Sequence, residues 1–205
     1  VRSSTFDAYR CEHCGLVWKD ETAHLSVSAE RARYDLHTNT LTDEGYVAWM
    51  GGMVEVVRTL VERGGGVLDF GCGEHRVLCR LLDKDGFCAT PYDPLYGIGE
   101  GALEQSYAVV VASEVVEHFR RPLEEFLRLR VSVREGGYVV VRTRLYPPRE
   151  RFGQWWYGMD GTHVCFYALQ TLEYCAQLFG GALTRWAQDI FVIGPCGAQG
   201  GVQGV

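Results

Sequence analysis

Residues 113–119 read Ser-Glu-Val-Val-Glu-His-Phe and directly follow the apolar run Tyr107–Ala112. Two carboxylates and an imidazole, Glu114, Glu117 and His118, therefore stand at the exit of a buried strand. Groups of this kind can move protons or hold a cation. If a helix starts near Ser113, Glu114 lies three residues before Glu117 and four before His118, and that spacing puts all three on one helix face. The plainer reading is capping, because Ser113 as N-cap and acids in a first turn are both favourable. Capping accounts for Glu114 better than for His118.

Two other stretches have chemical spacing. In LDFGCGEHRVL (68–78), Gly71 and Gly73 allow a tight turn and close approach of a ligand to the backbone. Asp69 ends the first strand, and Asp93 ends the next one, where an acid can accept hydrogen bonds from ribose hydroxyls. In YRCEHCGLVW (9–18), Cys11 and Cys14 sit in a knuckle that aims two thiolates at one ion. The spacing leaves a structural zinc, helped by His13, His24 or His37, open against two free thiols.

The elements that must position these groups follow from periodicity. Strands are expected at 66–70, 86–93, 107–113 and 137–145, helices at 75–85, 124–133 and 167–179, and a closing hairpin at 183–194 turning at Gln188 and Asp189. Near-continuous apolar strands alternating with helices predict an α/β fold, a parallel sheet covered on both faces. Ligands in such sheets bind beyond the carboxyl ends of the strands. Residues 1–25 carry the knuckle, 26–62 read as a helical lid or linker, 63–194 as the sheet domain, and 195–205 as a disordered Gly-rich tail. The chain begins at Val1, which reads as a trimmed N-terminus.

Bulk properties narrow the classes. The 205 residues are 47% hydrophobic and 22% charged, ordinary for a globular protein. No apolar run reaches membrane-span length and no signal-peptide pattern opens the chain. The net charge of −6 counts against broad nucleic-acid binding. Six of the eight cysteines are scattered singly, which suits reduced thiols and a cytoplasmic location.

Asp69-x-Gly71-x-Gly73 after a strand resembles motif I of the class I S-adenosylmethionine (SAM) methyltransferases. The resemblance extends over residues 64–193: Asp93 matches the ribose-binding acid, YAVVVASEVVEHF the fourth-strand motif, and VREGGYVVVRTRL the fifth strand with its glycine turn. It implies a Rossmann-like sheet and a SAM site in which Asp69, Gly71 and Gly73 approach the methionine part and Asp93 the ribose, with Cys72, Pro94, Ser113 and Glu114 completing the set. Two departures stand out. His75 replaces a frequent third glycine, so the helix is expected either to start differently or to carry a side chain near the cofactor. PLYGIGEGALEQS, after Asp93, is too short for a helix, a strand and another helix, so one strand is missing or vestigial after the second; Leu95 or Tyr96 would then cover the adenine.

SEVVEHF also resembles the Glu-x-x-Glu-His motif of the ubiquinone-pathway O-methyltransferases and the small-RNA 2′-O-methyltransferases. In the latter a later histidine completes a divalent-metal site, and His163 in DGTHVCFY stands where it would come from. The resemblance thus implies catalytic roles for Glu114, His118 and His163 and a site for Mg²⁺, Mn²⁺, Fe²⁺ or Zn²⁺ on Glu114, Glu117, His118 and His163. Without metal, His118 or His163 could serve as general base. It also implies a lid, with Arg33, Tyr34, His37, Asn39 and Tyr46 as candidates, against an ordinary surface helix. The aromatic segment 151–167 reads as a core-covering loop or an acceptor-pocket wall. Arg142, Arg144, Arg149 and Arg151 read as a solvated edge or a dock for an anionic acceptor, with Arg142 and Arg144 on one strand face. The expected partner is a small-molecule acceptor methylated at oxygen; the rivals are a nucleic-acid methyltransferase and a non-catalytic SAM-binding module.

Overall fold

The computed structural model describes residues 7–36 and 39–197. His37 and the tail beyond 197 lie outside the described residues. A six-stranded sheet, ordered β4-β3-β5-β6-β9-β8, forms the centre. Its strands are β3 (Gly66–Phe70), β4 (Cys88–Tyr92), β5 (Tyr107–Ser113), β6 (Val133–Arg142), β8 (Ala182–Arg185) and β9 (Ile190–Gly194). The first four are parallel, and the closing hairpin β8–β9 runs antiparallel beside β6.

Both faces are covered because alternate residues of the buried strands point opposite ways. Val109 and Val111 meet helices α2 (Glu44–Leu60) and α3 (Val77–Lys84), through Met53, Val57, Leu78 and Leu82. Val110 and Ala112 meet α4 (Pro122–Ser132) and α7 (Leu169–Leu178), through Phe126, Leu129, Leu172 and Phe179. Gly137 is required where β6 passes β5: a Cβ there would lie 2.7 Å from the Ala108 carbonyl. Strand β6 begins and ends earlier than the 137–145 expected, so Arg144 lies outside it and shares no strand face with Arg142. Helix α3 also starts late. Its N-cap, Arg76, is left-handed (φ 50°) and makes no side-chain cap, so the chain past His75 enters the helix by a turn.

The missing strand is real among the described residues. Only a 3-10 turn, Ala102–Glu104, lies between β4 and β5, and β4 is left as a sheet edge. That edge is sealed residue by residue. Cys88 points its N–H toward β3, bonding Gly65 O, so Ala89, Pro91 and Asp93 face outward. The Ala89 N–H donates to Asp83 Oδ1 at 3.0 Å, Pro91 has no N–H, and the Asp93 N–H donates to Ile98 O at 3.0 Å. Proline suits an edge strand for this reason. Gly99 (φ 81°) packs directly on the Pro91 carbonyl, where a Cβ would collide.

The knuckle is bound into the body. Hairpin β1 (Ala8–Arg10) and β2 (Val17–Lys19) forms a second sheet with β7 (Cys165–Phe166). The knuckle carbonyls of His13, Cys14 and Gly15 accept from Gln170, Thr171 and Tyr146. Region 26–62 contains α1 (Val27–Tyr34), which buries no residue, as well as α2. Short helical turns α5 (Arg149–Phe152) and α6 (Trp156–Met159) occupy the aromatic segment.

Gly99→Ala places a Cβ against backbone at a left-handed φ and is expected to destabilise by more than about 1 kcal/mol. Gly51→Ala, in α2 with nothing within 4 Å of its added Cβ, is expected to stabilise by roughly 0.5–1 kcal/mol. Denaturant midpoints of the two variants should move in opposite directions.

Candidate active site

A cavity of about 900 Å³ opens at the carboxyl ends of β3, β4 and β5. Asp69, Gly71, Cys72, Gly73, Asp93, Pro94, Ser113 and Glu114 all border it, as do His118 and His163. Gly71 (φ 79°) lies against Val115, where no Cβ would fit, and both Gly71 and Cys72 donate their N–H groups to Tyr92 O. Gly73 (φ 65°) has open space where a Cβ would be and donates its N–H to Asp93 Oδ2 at 2.9 Å. Asp93 also accepts from the N–H groups of Leu95 and Tyr96. Asp69 is 3% exposed, and its Oδ2 has no partner. Burial pushes its carboxyl up to about 7.

The SEVVEHF segment does not form the expected helix. Ser113 ends β5 and caps nothing; its Oγ points to Met50 Sδ. Glu114 is left-handed (φ 54°), with its N–H on Arg142 O. A single 3-10 turn, Val116–His118, follows. This kink sends Glu114 and Glu117 to a shared partner outside the motif. The Tyr157 hydroxyl donates to Glu117 Oε1 at 2.5 Å and lies 3.2 Å from Glu114 Oε2. Thr143 donates to Glu117 Oε2 at 3.0 Å. Glu117 is fully buried; burial, then the charge of Glu114, push its carboxyl up to about 8.

The two histidines face each other, ring centroids 4.8 Å apart. Each points Nδ1 at a main-chain carbonyl, His118 at Thr162 O (2.9 Å) and His163 at Tyr157 O (2.7 Å). A carbonyl only accepts, so each Nδ1 carries the proton, the Tyr34 hydroxyl oxygen 2.7 Å from His118 Nδ1 is a second acceptor of it, and each Nε2 is bare. Burial, then the neighbouring His163, lower His118 to about 4, and burial lowers His163, so both rings are neutral at neutral pH. Ligand atoms of Glu117, His118 and His163 lie within 4.8 Å of one another. Glu114 is outside this group and turns toward Tyr157.

Over residues 52–184, more than half its length, the sequence matches the family described as a methyltransferase domain. The chain belongs to the methyltransferase-domain family. No curated protein matches its sequence significantly. Among solved structures it is similar to an O-methyltransferase family protein from Burkholderia thailandensis (14% identity, TM-score 0.58, covering 83% of this chain and 64% of that one). It is also similar to the 1,6-didemethyltoxoflavin-N1-methyltransferase of the same organism, solved with its substrate and S-adenosylhomocysteine (SAH) (12%, 0.56, 91% and 96%). A third is the magnesium protoporphyrin IX methyltransferase of Synechocystis PCC 6803 with SAH (12%, 0.52, 80% and 92%). At these identities the likeness is one of fold, the Rossmann-like α/β sheet of SAM-dependent methyltransferases. The chain spans 64% of the length of the first of them.

Tyr34, Asn39 and Tyr46 border the cavity, while Arg33 pairs with Asp160 at 3.4 Å on its outside. Tyr96 also borders it, but under the Arg31 guanidinium and with its hydroxyl on Asp35. Two of the arginines stack on different tryptophans. Arg142 is buried under the Trp49 ring (4.2 Å), Arg144 lies over Trp156, and Arg149 and Arg151 are exposed. Arg142 is thus not a solvated edge. Cys11 and Cys14 lie within hydrogen-bonding reach of each other. His13 packs edge-on against Tyr174, and among the described residues no histidine, cysteine or acid makes a group of three with the two thiols. Sequence reading passed over Tyr157 and Thr143, because a hydroxyl's partner across a loop leaves no spacing signal.

The folded protein keeps a proton on Glu117 that an unfolded chain releases between its ordinary value, 4.5, and about 8. Stability therefore falls as pH rises through that window. Asp69 acts in the same sense only up to about 7. In chelator-treated protein, thermal midpoints should drop from pH 7 to 8 in wild type, and Glu117→Gln should flatten that drop. His118 acts oppositely: stability falls as pH drops from 6.5 to about 4.

Proposed function

We propose that this chain transfers the methyl group of SAM to an oxygen of a small-molecule acceptor in the 900 Å³ cavity. The observation carrying this is the joining, in one cavity, of a glycine-lined nucleotide crevice to the Glu114, His118 and His163 cluster. The crevice fits SAM: the orphaned Asp69 Oδ2 suits an ammonium donor, Gly73 leaves backbone open, and Asp93 suits ribose hydroxyls. Cys72, Pro94, Ser113 and Glu114 complete its lining. Bound there, SAM supplies an electrophilic methyl group on a sulfonium.

The chain's own residues would orient the acceptor and take its proton. Two bare, neutral imidazole Nε2 atoms and Glu114 border the cavity, where the acceptor hydroxyl would lie. The weak basicity of His118 makes its contribution mainly one of orientation. The bare nitrogens beside Glu117 also fit a divalent cation, held by Glu117, His118 and His163, since a ligating imidazole donates its other N–H to a carbonyl. A cation there would supply Lewis acidity toward the acceptor hydroxyl. α1 and Tyr46 would serve as the lid. The −6 charge of the chain weighs against a nucleic-acid acceptor.

Calorimetry with SAH tests the reading directly. Wild type should bind, and Asp93→Asn should weaken binding about tenfold or more; absence of wild-type binding ends the proposal. Radiolabelled SAM offered with phenol, catechol and sugar hydroxyl panels should label one class of oxygen acceptor. Transfer that is unchanged by EDTA and by Glu117→Gln would remove the cation while leaving methyl transfer intact.

A further inference from the structure

One residue outside the SEVVEHF motif touches three members of its cluster. Tyr157 is 1% exposed. Its hydroxyl donates to Glu117 Oε1 at 2.5 Å and lies 3.2 Å from Glu114 Oε2. Its carbonyl accepts the Nδ1 proton of His163 at 2.7 Å, and its ring lies 4.1 Å from that imidazole, centroid to centroid. Thr143 engages the other Glu117 oxygen and sits 3.3 Å from the Tyr157 hydroxyl. Both oxygens of Glu117 are therefore held, and the ring of His163 is fixed in orientation and tautomer.

We infer that Tyr157 is the positioning residue of this site, holding Glu117 beside His118 and His163 while tethering Glu114 at the cavity wall. The assignment rests on reading this cavity as the site of methyl transfer. The one phenol hydroxyl meets both carboxyl groups, so the two are linked through it. Turning either one disturbs the other. Because the same residue supplies the carbonyl that fixes His163, the geometry of both carboxylates and of the second imidazole depends on the placement of one loop residue. Partners of this kind govern the orientation of the groups that meet a ligand.

The test uses the full chain with carbon-13 at the glutamate carboxyls, in wild type, Tyr157→Phe and Thr143→Val. Phenylalanine keeps the ring against His163 and the carbonyl that fixes it, so only the shared hydroxyl is lost. In Tyr157→Phe the carboxyl resonances of Glu114 and Glu117 should move together. In Thr143→Val that of Glu117 should move and that of Glu114 stay. SAH affinity should hold within about twofold in Thr143→Val, which leaves Glu114, a residue of the crevice lining, in place. Cobalt(II) absorption gives a second readout, with Tyr157→Phe losing about ten- to hundredfold in cobalt affinity. Unmoved Glu114 and Glu117 resonances in Tyr157→Phe, or the same displacement pattern from both variants, overturn the assignment. Wild type that takes up no cobalt(II) ends the cation reading, and wild type that binds no SAH ends the methyl-transfer reading. In either case the carboxyl resonances still decide the role of Tyr157.

Discussion

A carboxylate with no access to water must find every partner inside the protein, and Glu117 imposes that requirement on the structure around it. It recruits a hydroxyl from the end of β6, Thr143, and another from α6, Tyr157. Its own carbonyl takes the Val164 N–H at 2.8 Å, which ties the 3-10 turn to the strand that follows His163. The long excursion from β6 to β7 is thereby folded back onto the turn that carries the motif. The two histidines meet because the segments holding them are joined at Glu117.

The N-terminal hairpin completes this arrangement from the opposite side. Lys19 donates its N–H to Val164 O, and its ammonium reaches Asp160 O at 2.8 Å. Asp160 in turn accepts from the N–H and hydroxyl of Thr162, whose carbonyl receives the His118 Nδ1 proton. Residues 160–164 are thus clamped between the hairpin and the motif. Above them, α1 contributes no buried side chain and attaches through polar contacts: Tyr34 to His118, Glu30 to Arg120 and Arg33 to Asp160. The two ion pairs are of a kind that is individually weak, whereas the Tyr34–His118 contact is half-buried.

Much of this was legible from residue order alone. The strand at 107–113, the helices around α4 and α7, the closing hairpin and the lost strand were readable because burial on both faces leaves long apolar runs and because loop length is counted directly. That Asp69, Gly71, Gly73 and Asp93 would border one cavity was readable because glycine and a terminal acid sit at fixed offsets. The local geometry of SEVVEHF was not. Helical spacing and a capping serine suggested a helix, whereas tertiary demand for Glu117 produced a left-handed Glu114 and a single 3-10 turn. Arg142 likewise looked solvent-facing by type, yet it lies beneath Trp49, a contact made by an element some 90 residues earlier in the chain and so without local signature.

The edge strand β4 bears on how such a sheet can be shortened. Removing an outer strand uncovers a row of main-chain donors that would pair with any other extended chain. Here one donor is absorbed by a side chain, one is absent because its residue is proline, and one is turned back into its own loop. The truncated sheet therefore ends in a margin that offers a passing strand no ladder to extend.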